Sequence, residues 1–376
     1  MCTTLVWFYF RCIITTGRSI VIEHEKMGAS LKSAKVYDGK FDILKFVLSF
    51  FVVAIHTSLF PMVLFPWLRC AVPLFFIMTG YFLFEKLKGI ADDKSKWEII
   101  KNFSLRNLKL YFFWFVCLLP IILWTRRDAL FANGLFMSIL ALLKMILFGS
   151  SFTGSWYIMQ SIFGALIVFL VSKKIPNKVL FLLSLVLYVC IVITSNFPNL
   201  LQHYEMIGKA FDVYSKYVGA PTLTFPIAVV WLICGKCFAD GDFSLGRTSW
   251  IIIFVLSAGL LYTEWFYVGK ISGTYRNDCY LFLLPFCVGV FGWICKMRPL
   301  SVQCSIHLKR ASTVIYAMHG AINRIDGAFY RNILNIDSPL LCFLTTSTVC
   351  VLAYVLIAML LRNTKSSVVR MLRFAY

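Results

Sequence analysis

Residues 43–61 read ILKFVLSFFVVAIHTSLFP, and residues 69–85 read RCAVPLFFIMTGYFLFE. Both are apolar runs of about the length needed to cross a bilayer, since a helix rising 1.5 Å per residue spans about 30 Å of hydrocarbon in roughly 20 residues. Further runs of this kind fall at 107–125, 157–172, 179–195, 223–239, 249–268, 280–296, 312–330 and 338–361. Composition agrees: 60% of the 376 residues are hydrophobic and 14% charged, against roughly 25% charged in soluble domains. Lipid can cover that much apolar surface where a soluble core cannot. The 36 phenylalanines and 10 tryptophans suit lipid-facing and interfacial positions. The fold class expected is therefore an all-α polytopic membrane protein.

Orientation follows from the basic residues. A formal charge of +20 could point to nucleic acid, but lysine and arginine sit between the apolar runs rather than in one patch, so nucleic acid is not an expected partner. Lysine and arginine gather in cytoplasmic loops, which places Lys32, Lys35, Lys40, Lys86, Lys88, Lys94, Lys96, Lys101 and Arg106 inside. An eleventh apolar run, 131–148, would put Lys173, Lys174 and Lys178 outside if it crossed. A helix lying in, or dipping from, the outer interface restores them to the inside. The expectation is ten spans plus one interfacial or re-entrant helix, with both termini cytoplasmic, in a multi-pass protein of a bacterial inner or plasma membrane. Residues 1–40 then form a cytoplasmic extension, 41–361 the membrane domain and 362–376 a basic tail. Residues 1–26 hold only a short apolar stretch broken by Arg11, and Met27 opens a conventional polar lead-in, so an upstream start at Met1 is suspect. The 13 cysteines scatter singly with no zinc-ligand or disulfide spacing, and no metal is expected.

Ionisable groups inside spans are expensive and mark function by default. His56 stands in Phe50-Phe51-Val52-Val53-Ala54-Ile55-His56-Thr57, and Lys45 lies eleven residues earlier. Eleven residues make close to three turns, so the two share one helix face about 16 Å apart. A cation at the cytoplasmic mouth and a base deep in the membrane suit a long ligand, phosphorylated at one end and reactive at the other. The plainer reading of His56 is a hydrogen bond to a neighbouring helix. Glu264 is an acid deep in a span that could pair with a buried cation, though the sequence names no partner for it.

The stretch Phe41-Asp42-Ile43-Leu44-Lys45-Phe46, followed by Val52-Val53-Ala54-Ile55-His56-Thr57, resembles the acyltransferase-3 family of integral membrane acyltransferases. Val72-Pro73-Leu74-Phe75-Phe76-Ile77-Met78-Thr79-Gly80-Tyr81-Phe82 is similar to that family's second helix, with Thr79 where serine is usual. Arg106-Asn107-Leu108-Lys109 looks like its Arg-x-x-Arg at the start of the third helix, with lysine second, which keeps charge and loses bidentate phosphate geometry. Gly154-Ser155-Trp156-Tyr157 and Ser312-Thr313-Val314-Ile315-Tyr316-Ala317-Met318-His319 are weaker echoes. The resemblance covers about 40–361.

It implies transfer of an acyl group, usually acetyl, from cytoplasmic acyl-CoA to a hydroxyl of a surface saccharide or glycolipid. His56 would be the general base or a transient acyl carrier, and Lys45, Arg106 and Lys109 would hold CoA phosphates. Arg69 would face the acceptor or the thioester carbonyl, unless it snorkels to headgroups. Asp42, Trp156, Tyr157, Tyr316 and His319 are supporting or acceptor-side candidates. For Trp156 and Tyr157 the competing role is an interfacial aromatic belt; for His319 it is helix packing. Expected partners are the bilayer, acyl-CoA and the acceptor, with self-association open. A transporter or flippase for a glycolipid or small molecule is the rival class, although no internal repeat of the kind common in transporters appears.

Overall fold

Gly39 ends the polar lead-in and Lys40 begins the first helix of the computed structural model, which describes residues 38–59, 62–131, 134–197, 205–302, 304–363 and 366–376. The extension at 1–26 lies outside the described residues. Among those described there is no strand. The helices are α1 (Lys40–Thr57), α2 (Phe65–Leu68), α3 (Ala71–Leu87), α4 (Asp93–Phe131), α5 (Gly134–Leu147), α6 (Ser155–Val171), α7 (Asn177–Asn196) and α8 (Glu205–Tyr217). They continue with α9 (Phe225–Asp240), α10 (Arg247–Ser272), α11 (Leu283–Cys295), α12 (Ser305–Asn332), α13 (Pro339–Asn363) and α14 (Ser367–Arg370).

Five stretches are long and apolar enough to cross a membrane: Phe65–Leu87, Asp93–Arg127, Asn177–Asn196, Arg247–Ser272 and Pro339–Arg362. Their faces differ as lipid contact demands. α10 exposes Ile252, Val255, Leu256 and Leu260 along one side, a surface that water would penalise and hydrocarbon accepts. α3 is buried among its neighbours, with Phe76, Ile77 and Met78 fully covered. Its closest partner is α9, and two glycines set that approach. A Cβ on Gly80 would stand 2.5 Å from the Leu232 carbonyl oxygen, and one on Gly235 would collide with the Ile77 carbonyl. Small residues let apolar helices pack backbone to backbone, where dispersion contacts are densest.

Two expectations change in detail. The third family-like motif does not open a helix. α4 begins at Asp93, where the Asp92 carboxylate accepts the Ser95 and Lys94 backbone N–H groups at 2.8 and 3.2 Å, so Arg106 and Lys109 lie well inside a 39-residue helix. Hydropathy marks only the part that lipid covers, whereas the N-terminal cap and good helix formers carry the helix further. Between the expected spans at 179–195 and 223–239 the chain also holds a helix, α8, amphipathic and too polar to register as a span. It is tied to α9 by Tyr214 Oη and Thr224 Oγ1 at 2.8 Å.

The 131–148 run forms α5, whose 14 residues are too short to cross. It returns beside α4, where Tyr111 Oη donates to the Ile146 carbonyl at 3.3 Å and pairs with Ser151 Oγ at 2.7 Å. Glu264 does not meet a buried cation. Its two carboxylate oxygens accept the backbone N–H groups of Leu281 and Phe282 at 2.6 and 2.8 Å, just ahead of α11. Those groups have no intrahelical acceptor, so a carboxylate there is a cap favoured by the helix dipole. A second acid inside an apolar run, Asp326, accepts the Thr345 and Thr346 hydroxyls, each at 2.9 Å.

The N-terminal end of α1 is pinned. Lys40 Nζ pairs with Asp38 at 2.9 Å and donates to the Met297 carbonyl at 3.0 Å. Burial works against the Asp38 carboxylate. The Lys40 ammonium and the backbone N–H groups of Leu300 and Lys40 outweigh it and hold its pKa below the ordinary carboxylate range. The basic tail also docks: Trp114 Nε1 donates to the Ala375 carbonyl at 3.0 Å, and Arg310 lies over the Tyr376 ring.

Candidate active site

α1 and α12 lie side by side in parallel. Ser305 Oγ donates to Asp42 at 2.7 Å, Val53 packs with Ile315, and the His56 and His319 rings stand 5.0 Å apart at 39°. Further along, Asn323 Nδ2 donates to the His56 carbonyl at 3.0 Å. The register holds over the whole contact, so each helix carries a lysine at one level and a histidine at another: Lys45 and His56 on α1, Lys309 and His319 on α12.

At the lysine level, Lys45 lies within electrostatic range of Lys309, Asp42, Arg106 and Lys86. Its ammonium sits 5.2 Å from the centre of the Phe82 ring. Four cations around one carboxylate leave this end of the seam strongly positive, beside an aromatic wall. Asp42 is buried and already engaged by Ser305, which makes it a brace for the N-terminal turn. Lys109 is not brought into this group; its ammonium faces the Phe374 ring of the docked tail at 5.9 Å. Its position three residues from Arg106 promised a shared face, but the tail occupies that side.

At the histidine level, a cavity of about 590 Å³ opens beside α1. Its wall includes His56, Arg69, Trp156, Tyr316 and Arg324. His56 is solvent-accessible although it lies well inside the protein, because its ring faces this cavity. His319 is fully buried behind it. His319 Nδ1 is 2.7 Å from the Tyr316 carbonyl oxygen. A carbonyl can only accept, so Nδ1 carries the proton and Nε2 holds a lone pair. That Nε2 is buried with no hydrogen-bond partner among the described residues.

The two weaker motif echoes meet here. Tyr316 Oη donates to the Gly154 carbonyl at 3.0 Å. Gly154 has φ +84°, and a Cβ there would lie 3.1 Å from the Tyr316 ring, so both backbone and space require glycine. Tyr157 packs edge-on against Phe76 and Tyr316, and its hydroxyl pairs with Thr79 at 2.8 Å. Tyr157 therefore faces inward, and the interfacial-belt role does not apply to it. Trp156 packs on Phe76 and lines the cavity.

Arg69 does not snorkel to headgroups. Its Nη1 pairs with Asp278 at 2.9 Å, its Nη2 donates to the Arg276 carbonyl at 3.2 Å, and its guanidinium covers the Phe65 ring. Sequence reasoning missed Arg276 and Arg324, which also line the cavity. They lie more than 200 residues from His56 in the chain, and only the fold brings them together. Lys309 could have been found, since Lys309 and His319 repeat nearly the same spacing as Lys45 and His56. Among the described residues no group of three His, Cys, Asp or Glu side chains is placed to hold a metal ion.

Two curated proteins of Enterococcus faecalis, each named amino-acid racemase, are similar to this chain. One is 26% identical over 344 residues, covering 86% of this chain and 46% of the racemase. The other is 21% identical over 258 residues, covering 65% of this chain and 34% of that protein. The chain thus spans less than half the length of these curated relatives. No solved structure matches it. The sequence profile of the family described as "Acyltransferase domain" matches residues 38–366, a stretch that holds the paired lysines, the paired histidines and the cavity, and so the chain belongs to the acyltransferase-3 family.

Proposed function

We propose that this protein is a membrane-bound acyltransferase that moves an acyl group, acetyl being the expected one, from cytoplasmic acyl-CoA to a hydroxyl of a saccharide or glycolipid. The observation that supports it best is the pairing along α1 and α12. A polycationic group lies around Lys45, and about 16 Å further along the helix an accessible histidine backed by a second histidine opens onto the cavity. That separation suits a donor anchored by its phosphates with its thioester reaching inward.

In the proposed reaction His56 takes the proton of the acceptor hydroxyl as the oxygen attacks the thioester carbonyl. A carbon–oxygen bond forms, the carbon–sulfur bond breaks, and the departing CoA thiolate takes up a proton. Neutral imidazole suits the base role because its ordinary range lies near neutrality. His319, its lone pair turned away from the Tyr316 carbonyl, is the group best placed to orient His56 or accept from it. Lys45, Lys86, Arg106 and Lys309 hold the phosphates in this reading.

The racemase name belongs to chains more than twice as long as the stretch they share with this one, and racemisation is not carried over. The test is transfer of label from radiolabelled acetyl-CoA in membranes holding wild-type protein or His56→Ala at equal level. Label entering glycan or lipid with wild type and not with His56→Ala is expected. Equal labelling removes His56 from the mechanism, and no labelling in native-host membranes with acetyl- or propionyl-CoA favours the transporter class.

A further inference from the structure

The wall of the cavity is strongly charged. Arg69, Arg126, Arg276 and Arg324 line it, and Asp278 is the one carboxylate among the described lining residues. Arg69 takes that carboxylate at 2.9 Å. Three positive charges are left in excess around a space that His56 shares. They come from three separate parts of the chain: the α4 helix, the loop before α11, and α12. Guanidinium groups reach full strength when two of their N–H groups meet an anionic oxygen pair. Here Arg276 spends one nitrogen on the Ser58 hydroxyl at 3.0 Å, and Arg69 Nε is a buried donor with no hydrogen-bond partner among the described residues. Ser58 directly follows α1, so Arg276 is held two residues beyond His56.

From this we infer that the acceptor carries an anionic oxygen group, a phosphate or carboxylate, held by Arg69, Arg276 and Arg324 while its hydroxyl meets His56. The inference rests on the acyltransferase reading and names the acceptor class within it. Guanidinium forks match phosphate and carboxylate oxygens two at a time. A volume of about 590 Å³ accommodates a sugar with such a group. The anion also has a chemical use. When His56 accepts the hydroxyl proton it becomes a cation within electrostatic range of Arg69 and Arg324. An anion bound between those guanidiniums offsets that charge as it develops, so a charged acceptor would be favoured in the transition state as well as in binding.

The test uses the full chain in phosphatidylcholine nanodiscs, titrated with glucose, glucose 1-phosphate and glucuronate, with and without saturating acetyl-CoA. Glucose 1-phosphate or glucuronate should bind at least about tenfold more tightly than glucose, as charge complementarity at the arginines favours. Arg276→Gln and Arg324→Gln should each weaken that binding about tenfold, while Lys270→Gln leaves it unchanged. A second set of discs doped with phosphatidylglycerol separates the sources: retention of that lipid by wild type and not by Arg324→Gln, with the soluble sugars failing to compete, assigns the anion to a lipid headgroup. Equal binding of glucose, indifference to both arginine variants, or no binding in either disc overturns the inference. Complete displacement of the sugar phosphate by acetyl-CoA also overturns it, because the arginines then serve the donor. Anion selectivity without any acetyl transfer would leave the anion site and remove the transferase. Efficient transfer to a neutral acceptor would do the reverse.

Discussion

His319 offers the sharpest separation between packing and chemistry. Replacing it with asparagine keeps a donor near the position of Nδ1, which can still reach the Tyr316 carbonyl, and removes the Nε2 lone pair beside His56. Replacing it with glutamine does the opposite, placing an acceptor near the position of Nε2 and losing the short bond. If His319 only packs, asparagine is the milder change. It keeps the 2.7 Å hydrogen bond and loses part of a ring that is fully buried. One neutral hydrogen bond contributes about 1 kcal/mol, roughly a fivefold effect. If Nε2 orients His56 or accepts a proton, its removal costs a proton-transfer contribution of about 10² to 10⁴ in rate. The assay is steady-state acetyl transfer by purified protein in nanodiscs, with folded protein quantified by size-exclusion chromatography. The expected result is a fall in kcat of about 10² or more for His319→Asn with KM for acetyl-CoA little changed, and partial rescue by His319→Gln. A kcat for His319→Asn within about fivefold of wild type, the worth of a single hydrogen bond, would refute the chemical role and leave His319 as packing.

Three further outcomes follow from other parts of the structure. Lys45→Met keeps the stem length and removes one of four cations, so KM for acetyl-CoA should rise about 10- to 100-fold with kcat nearly constant, the loss of a charge-assisted contact being about 1.5–3 kcal/mol; a fall in kcat at unchanged KM would remove Lys45 from donor binding. Glu264→Gln weakens the two bonds that cap α11 by about 1–3 kcal/mol, so buried Cys279 and Cys287 should react faster with a thiol-reactive dye, and unchanged labelling would argue against the cap. Gly235→Val should push α9 off α3 at a cost of about 1–3 kcal/mol or more, read as loss of the monodisperse chromatographic peak; Gly259→Ala, where a Cβ meets nothing within 4 Å, should leave the peak intact.

The positions of the helices were largely legible, because lipid demands continuous apolar runs. Residues 249–268 became Arg247–Ser272 and 179–195 became Asn177–Asn196, each within a few residues. What escaped was backbone that lipid does not cover. The first turns of α4 are polar and capped by Asp92, and α8 is amphipathic, so neither stands out in a search for long apolar stretches. The Lys45 and His56 pair was legible because both lie on one helix at nearly whole-turn spacing. Arg276 and Arg324 were not, since nothing local distinguishes them from arginines that anchor a loop to headgroups. Glu264, an acid within an apolar run, suggests a buried cation, yet its partners are backbone N–H groups, which leave no trace in residue type. Tyr157 read as an interfacial residue by composition, and only its contacts with Thr79 and Tyr316 show that it turns inward.

The two helices that carry the proposed chemistry both fall short as spans. Neither α1 nor α12 is among the five stretches apolar enough to cross a membrane unaided. α1 holds Lys40, Asp42 and Lys45, and α12 holds Lys309, Arg310, Arg324 and Asp326. Such charges are costly against lipid, and the fold gives several of them partners: Lys40 pairs with Asp38, Asp326 accepts the Thr345 and Thr346 hydroxyls of α13, Arg310 lies over the Tyr376 ring, and Asp42 meets Ser305 across the seam between α1 and α12. Their polar faces supply partners across the shared seam, as Ser305 does for Asp42 and Asn323 for the His56 carbonyl. More apolar helices, α10 and α13 among them, turn their exposed faces outward. This division gives the site its geometry. Two parallel helices in fixed register repeat a lysine and a histidine at matching levels, so the two ends of the site are separated by backbone rise rather than by flexible side chains. A helix rises 1.5 Å per residue whatever its side chains, so in the proposed reaction the distance between the donor's anchoring charges and the base would be held by the most rigid element the chain can make.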